Sequence, residues 1–145
     1  MLFERLTFRS VNVRTVLVPL RRPVVSRVGL FDQWPIILID IETEEGITGR
    51  SYLEPYLKGS ARSIAPAIHD LAAARTGQPI RPLEDFQKGL KSLNLVGGEG
   101  IAMIAVSGLD MASWERSPKP PTCRSRCFSA ARWARCRPTT ATGYG

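Results

Sequence analysis

Three thiols, Cys123, Cys127 and Cys136, fall within a short stretch of the chain and are the first residues whose type and spacing suggest chemistry. Tetrahedral zinc takes four nitrogen or sulfur ligands. The sole histidine, His69, lies far upstream in a segment of helical period, so no fourth ligand is at hand and zinc is not assigned. His69 itself neighbours the apolar Ile68 within that segment and reads as a helix-surface histidine, not a general base. The paired carboxylates Glu44–Glu45 and Glu84–Asp85 fall at a turn and at a helix start, where acidic residues have structural uses. Asp110 and Trp114, four apart in a third helical segment, read as structural, and Gly46 and Gly49 as turn and close-approach positions. Neither a phosphate-binding glycine loop nor a nucleophile elbow is present. The residues on display suit positioning and binding better than bond-making.

The charge distribution divides the chain in two. Residues 1–116 carry 14 Lys and Arg against 13 Asp and Glu, whereas residues 117–145 carry Lys119, Arg124, Arg126, Arg132, Arg135 and Arg137 against no acid. The net charge of +7 is therefore mostly a property of the final segment, and any attraction to a polyanion applies there alone. We divide the chain accordingly into a folded domain over 1–116 and a basic segment over 117–145 without a stable fold. A chain of 145 residues, 43% apolar, suffices for one core and buries roughly 70% of its unfolded surface. It has no apolar run of membrane-spanning length and no apolar stretch near its N-terminus, so a cytoplasmic location is expected, with reduced cysteines.

The elements that must position these residues follow from periodicity. "LTFRSVNVRTVLV", from Leu6 to Val18, reads as a strand ended by Pro19; "PIILIDIET", from Pro35 to Thr43, as a second; and "ITGRSYL", after a turn at Glu44–Gly46, as a third. The predicted result is an antiparallel meander. The period then changes to 3.6, with Ile64, Ile68, Leu71 and Ala72 on one face of a helix capped by Ser60 and stopped by Gly77; Pro66 requires a place in its first turn. A second helix spans about Pro82 to Leu93, with Leu83, Phe86 and Leu90 on one face. The third, "IAMIAVSGLDMASWER", places Ile101, Ile104, Ala105, Gly108 and Ala112 together. It is apolar enough to require neighbours on more than one side. Strands followed by helices give an α+β class.

Three segments, "VPLRRPV", "ILIDIETEEGITGRSYLEPY" and "GLDMASWE", in this order and spacing, resemble the N-terminal capping domain of the mandelate racemase/muconate lactonizing enzyme family of the enolase superfamily, over about residues 8–116. The resemblance implies a two-part enzyme: a capping domain and a (β/α) barrel that holds Mg²⁺ on acidic ligands and removes a proton α to a carboxylate, in racemases or dehydratases of small carboxylic acids. It also implies frequent homo-oligomers. None of the barrel's catalytic or metal-binding groups can be placed on this chain, so no catalytic residue, metal ligand or cofactor is expected for this chain, and activity is not assigned to it. The family's two capping loops close over the barrel mouth. They fall on "PVVSRVGLFDQW", giving Val24, Ser26, Val28 and Phe31, and on "YLEPYL", giving Tyr56, as substrate contacts. Ordinary loop packing is the competing reading for the valines, and solvated surface for Arg22 and Arg27.

The basic segment has an explanation in the genetic code. With GC-rich synonymous codons from Arg116 onward, displacing the frame by two bases reads LAQAADMPLAVFLGGSVGAVPTYNSYGL without a stop. That peptide continues "MASWE" as family members do, through a helix end and a turn into the first barrel strand. Synonym choice leaves freedom, but the middle bases that set polarity were largely fixed. Residues after about Arg116 thus read as a frameshift product; a native basic tail is the alternative. Two functional readings stand: the capping fragment of a metal-dependent acid racemase or dehydratase, inactive alone, and a small protein that uses a basic tail on nucleic acid. The second is disfavoured, since Phe128 and Trp133 supply few aromatics among the cations.

Overall fold

Alternation of Ile37, Ile39 and Ile41 with Leu38, Asp40 and Glu42 lets one strand turn an isoleucine row toward a core and a mixed row away from it. In the computed structural model, which describes residues 6–116, that strand is the centre of a three-stranded antiparallel sheet of order β1-β2-β3. The strands are β1 (Phe8–Ser26), β2 (Gly29–Thr43) and β3 (Thr48–Leu53). Three helices follow: α1 (Lys58–Ala73), α2 (Pro82–Ser92) and α3 (Ile101–Arg116). The α+β meander expected from the sequence is the observed fold. Expectations for residues 117–145, including the three cysteines, lie outside the described residues.

The core joins the isoleucine row and Leu53 to Ala61, Ile64, Ile68 and Ala72 of α1 and to Ala105, Leu109 and Ala112 of α3. Each fully buried isoleucine contributes about 1.5–3 kcal/mol. Phe8 joins the same face through a bulge: it pairs with Thr43, and Ser10 pairs with the adjacent Glu42, so the extra residue Arg9 turns Phe8 onto the side of Val11 and Val13. α3 packs against β2, β3, α1 and α2, as its apolar sequence requires. It comes closest to the sheet at Gly108, where a Cβ would lie 2.5 Å from Ile39 Cδ1 and 2.8 Å from Leu53 Cδ1. There the Ser51 hydroxyl donates to the Gly108 carbonyl at 2.7 Å.

Several local expectations are corrected. β1 does not stop at Pro19 but continues to Ser26, and β2 begins at Gly29, so the expected loop is a β-hairpin. β1 is an edge strand, the place in a sheet where proline is tolerated. Leu57, not Ser60, stands at the N-cap of α1 and makes no side-chain cap. Pro66 lies inside the helix instead of its first turn; it is exposed, as is Arg62 one turn before, so the carbonyl left without a helical partner is on the solvent side. α1 ends at Ala73, and Gly77 with φ +74° serves the following turn. α2 buries Asp85 and Gly89, while Leu83 is 69% exposed. Asp85 is drawn inward because its Oδ2 accepts from the backbone N–H of Arg81, and Gly89 because Val106 fills the space beside it.

Candidate functional site

The hairpin grows out of the sheet through an uneven step. Pro19 pairs with Gln33, yet the next paired residues are Val24 and Phe31, so β1 holds more residues there than β2 and the ribbon turns from its former plane. Its end is closed by Ser26, whose Oγ accepts from the Val28 N–H at 3.2 Å and donates to the Gly29 carbonyl at 3.3 Å. Val24 and Phe31 are cross-strand partners and project together.

Tyr56 arrives from the other side of the molecule, between β3 and α1. It has φ of 60°, alone among non-glycine residues in the described chain, and the Leu57 N–H bonds to the Pro55 carbonyl across it at 2.6 Å. A three-residue turn with positive φ at its centre is the rarer, strained γ-turn, which persists only where the surroundings over-determine it. Trp34 is the neighbour that meets both segments. Its ring stands edge-on to Phe31 at 5.9 Å and to Tyr56 at 6.2 Å, and its Nε1–H donates to Glu54 Oε2 at 3.3 Å. Beside it, Lys58 Nζ donates to Gln33 Oε1 at 2.8 Å.

These contacts border an open cleft of about 400 Å³ lined by Val24, Ser26, Val28, Phe31, Trp34, Tyr56 and Leu57. All five residues singled out in the sequence meet there, from segments separated by most of β2 and all of β3. Trp34 and Leu57 were not singled out; the signal for Trp34 was an aromatic residue immediately before the buried Pro35, at the mouth of the first loop. Arg22 and Arg27 are exposed and do not line the cleft. Its walls are apolar, and Ser26 already has two partners within its turn. The open cleft can therefore offer an apolar surface to a bound group, but no acid–base pair.

The titration-shifted groups lie elsewhere. Burial raises Asp110 above its ordinary value of 3.8, opposed by a hydrogen bond from Trp114 and by the charge of Arg75, and its Oδ1 is buried without a partner among the described residues. Burial lowers Arg75, opposed by Asp85 and Asp110. Arg75 Nη2 donates to the Asp85 carbonyl, so this is a helix-packing cluster. His69 is exposed on α1. Among the described residues no three His, Cys, Asp or Glu side chains are grouped to hold a metal, and no helix is long and apolar enough to cross a membrane. The described residues thus do not fit a magnesium cage.

The profile of the mandelate racemase / muconate lactonizing enzyme N-terminal domain matches residues 8–120. The D-galactonate dehydratase of Xanthomonas euvesicatoria pv. vesicatoria (strain 85-10) is 35% identical over 79 residues, 54% of this chain and 20% of that protein. Among solved structures, an enolase from alpha pretobacterium bal199 with bound Mg superposes with a TM-score of 0.72 at 51% identity, covering 75% of this chain and 30% of that one. An enolase from Bradyrhizobium complexed with magnesium and mandelic acid gives 0.72 at 31% identity, covering 78% and 31%. The chain spans less than a third of the length of each of these relatives.

Proposed function

Because the chain belongs to the mandelate racemase / muconate lactonizing enzyme family through its N-terminal domain, we propose that it is the substrate-capping part of a metal-dependent acid racemase or dehydratase, which removes a proton α to a carboxylate. The observation that carries this reading is the meeting of the hairpin residues Val24, Val28 and Phe31 with Tyr56 around one apolar cleft. A cap of this kind contributes by covering the substrate and excluding water, while bond-making is left to groups the described residues do not contain. The relatives support the substrate class: one is named for dehydrating D-galactonate, and another is complexed with mandelic acid. The apolar cleft favours an acid whose side group is itself apolar, since a polyol would bury hydroxyls against Val24, Val28 and Phe31 without partners. Magnesium, present in two of the relatives, would act on groups outside the described residues.

The chain by itself is expected to show no turnover with Mg²⁺. The test is to sequence the gene through the codons for Trp114 to Cys123 for the proposed frame displacement, shift the frame by two bases, and assay the resulting product for proton exchange α to a carboxylate. In that product Tyr56→Phe should lower turnover by roughly 2 to 12-fold, the worth of one neutral hydrogen bond to substrate. Phe31→Ala should change which acids are accepted more than the rate on small ones. His69→Ala should be nearly silent. Loss of activity in His69→Ala with no effect of the two cleft substitutions would overturn the assignment.

A further inference from the structure

We propose that Trp34 is a positioning residue that locks the β1–β2 hairpin and the strained Tyr56 turn into one wall, so that neither segment sets the cleft without the other. The hairpin cannot fix its own direction. Val24, Val25 and Val28 are exposed, and a two-stranded ribbon without a packed face is marginal in water. Nor does the Tyr56 turn hold itself, because a tyrosine at φ 60° is disfavoured and requires contacts that outweigh the strain. Trp34 touches both. Its ring edges meet Phe31 and Tyr56, and its indole N–H is held by Glu54, two residues before the strained position. The Gln33–Lys58 hydrogen bond spans the same gap, from the residue before Trp34 to the first residue of α1, two after Tyr56. Tryptophan suits this role because two side-chain torsions orient a large rigid surface, and the N–H fixes which way the ring faces. An aliphatic residue would fill space without joining the segments.

The proposal rests on the cleft's capping role only for its consequence; its geometry needs no substrate. It is tested by amide hydrogen exchange on the full chain, following Leu57 in the Tyr56 turn, Val28 at the hairpin end, and Ile39 in the central strand as reference. Trp34→Leu should speed exchange at both Leu57 and Val28 several-fold to about tenfold, the loss expected for an aromatic edge contact, and leave Ile39 unchanged. Trp34→Phe, which keeps a ring but loses the bond to Glu54, should give an intermediate rate. Wild-type exchange at Leu57 in a folded Trp34→Leu variant would overturn the proposal, as would acceleration confined to one segment. Should Trp34→Leu not fold, Trp34→Phe decides alone: faster exchange at both probes with Ile39 intact supports the lock, and wild-type rates refute it. No substrate enters this measurement. The outcome that would overturn the capping role, loss of activity in His69→Ala with silent Tyr56→Phe and Phe31→Ala, would therefore leave the lock standing.

Discussion

From Phe8 to Thr15 on β1 and from Ile37 to Thr43 on β2, the ladder is backed by α1 and α3, and every second residue of β2 is buried to within 1%. Beyond Pro19 and Gln33 the same two strands continue, still rich in Val, Leu and Phe, but Val25 and its partner Leu30 are 81% and 67% exposed. Apolar composition is alike in the two halves; the difference is what stands opposite. In one half it is converted into stability by helices, and in the other it is left as surface. The hairpin's apolar residues are thus left uncovered by this domain's own core, which is the observation behind the proposed capping role.

Two substitutions should separate the halves most sharply. Ile39→Ala removes a side chain from the sheet–helix core and should cost about 2–5 kcal/mol, enough to consume much of the stability of a small domain. Val25→Ala, at the exposed half of the same ladder, should stay within about 0.5 kcal/mol. Urea denaturation of both variants checks this, and comparable losses would mean that the hairpin is packed in solution.

A smaller effect tests how closely the helices back the sheet. Gly108→Ala would gain about 1 kcal/mol in helix propensity but place a methyl against Ile39 and Leu53, an overpacking cost of about 1–3 kcal/mol. The net should be a loss near 1 kcal/mol. A gain would show that the ends of the two side chains swing aside and that the layer is looser than its contacts indicate.

Much of this arrangement was legible in the sequence. The isoleucine row, the Ile64–Ile68–Ala72 face and the apolar third helix follow from period alone, since burial on one side writes itself into every second or every fourth position. The hairpin was not legible, because Pro19 reads as a strand end and only its place on an edge strand lets β1 continue past it. Pro66 misled for the related reason that its cost depends on which way the lost carbonyl faces, a property of the folded helix. The cleft was legible only through resemblance: nothing local to Tyr56 shows that it meets Val24 and Phe31. Trp34 escaped both routes, since its significance lies in touching two segments at once.

Two carboxylates with opposite shifts give the next effect. Glu45 accepts from the Thr7 N–H at 2.9 and 3.1 Å, which lowers it below its ordinary 4.5. Its contribution is therefore present above pH 4.5 and lost as the pH falls through the lowered folded value. Asp110 is raised by burial, so its contribution favours the fold below pH 3.8 and is lost as the pH rises through the raised folded value. Glu45→Gln should thus destabilise at neutral pH, and Asp110→Asn should stabilise there, with both differences shrinking toward acid. Unfolding midpoints measured at about pH 3 and pH 7 check the two signs.

The smallest expected effect bears most directly on the exposed half. Tyr56→Gly relieves a left-handed backbone that costs a tyrosine about 1–2 kcal/mol. It also removes the edge contact with Trp34, worth about 0.5–1.5 kcal/mol beyond area, and frees the unfolded chain by up to about 1 kcal/mol. These terms nearly cancel, so stability should move by less than about 1 kcal/mol even though the residue's whole side chain is gone. A change so small at a strained, exposed tyrosine would mean that the fold does not depend on keeping it. A loss well above that size would instead make Tyr56 a structural residue and weaken the case that the cleft, and not the core, is what it serves.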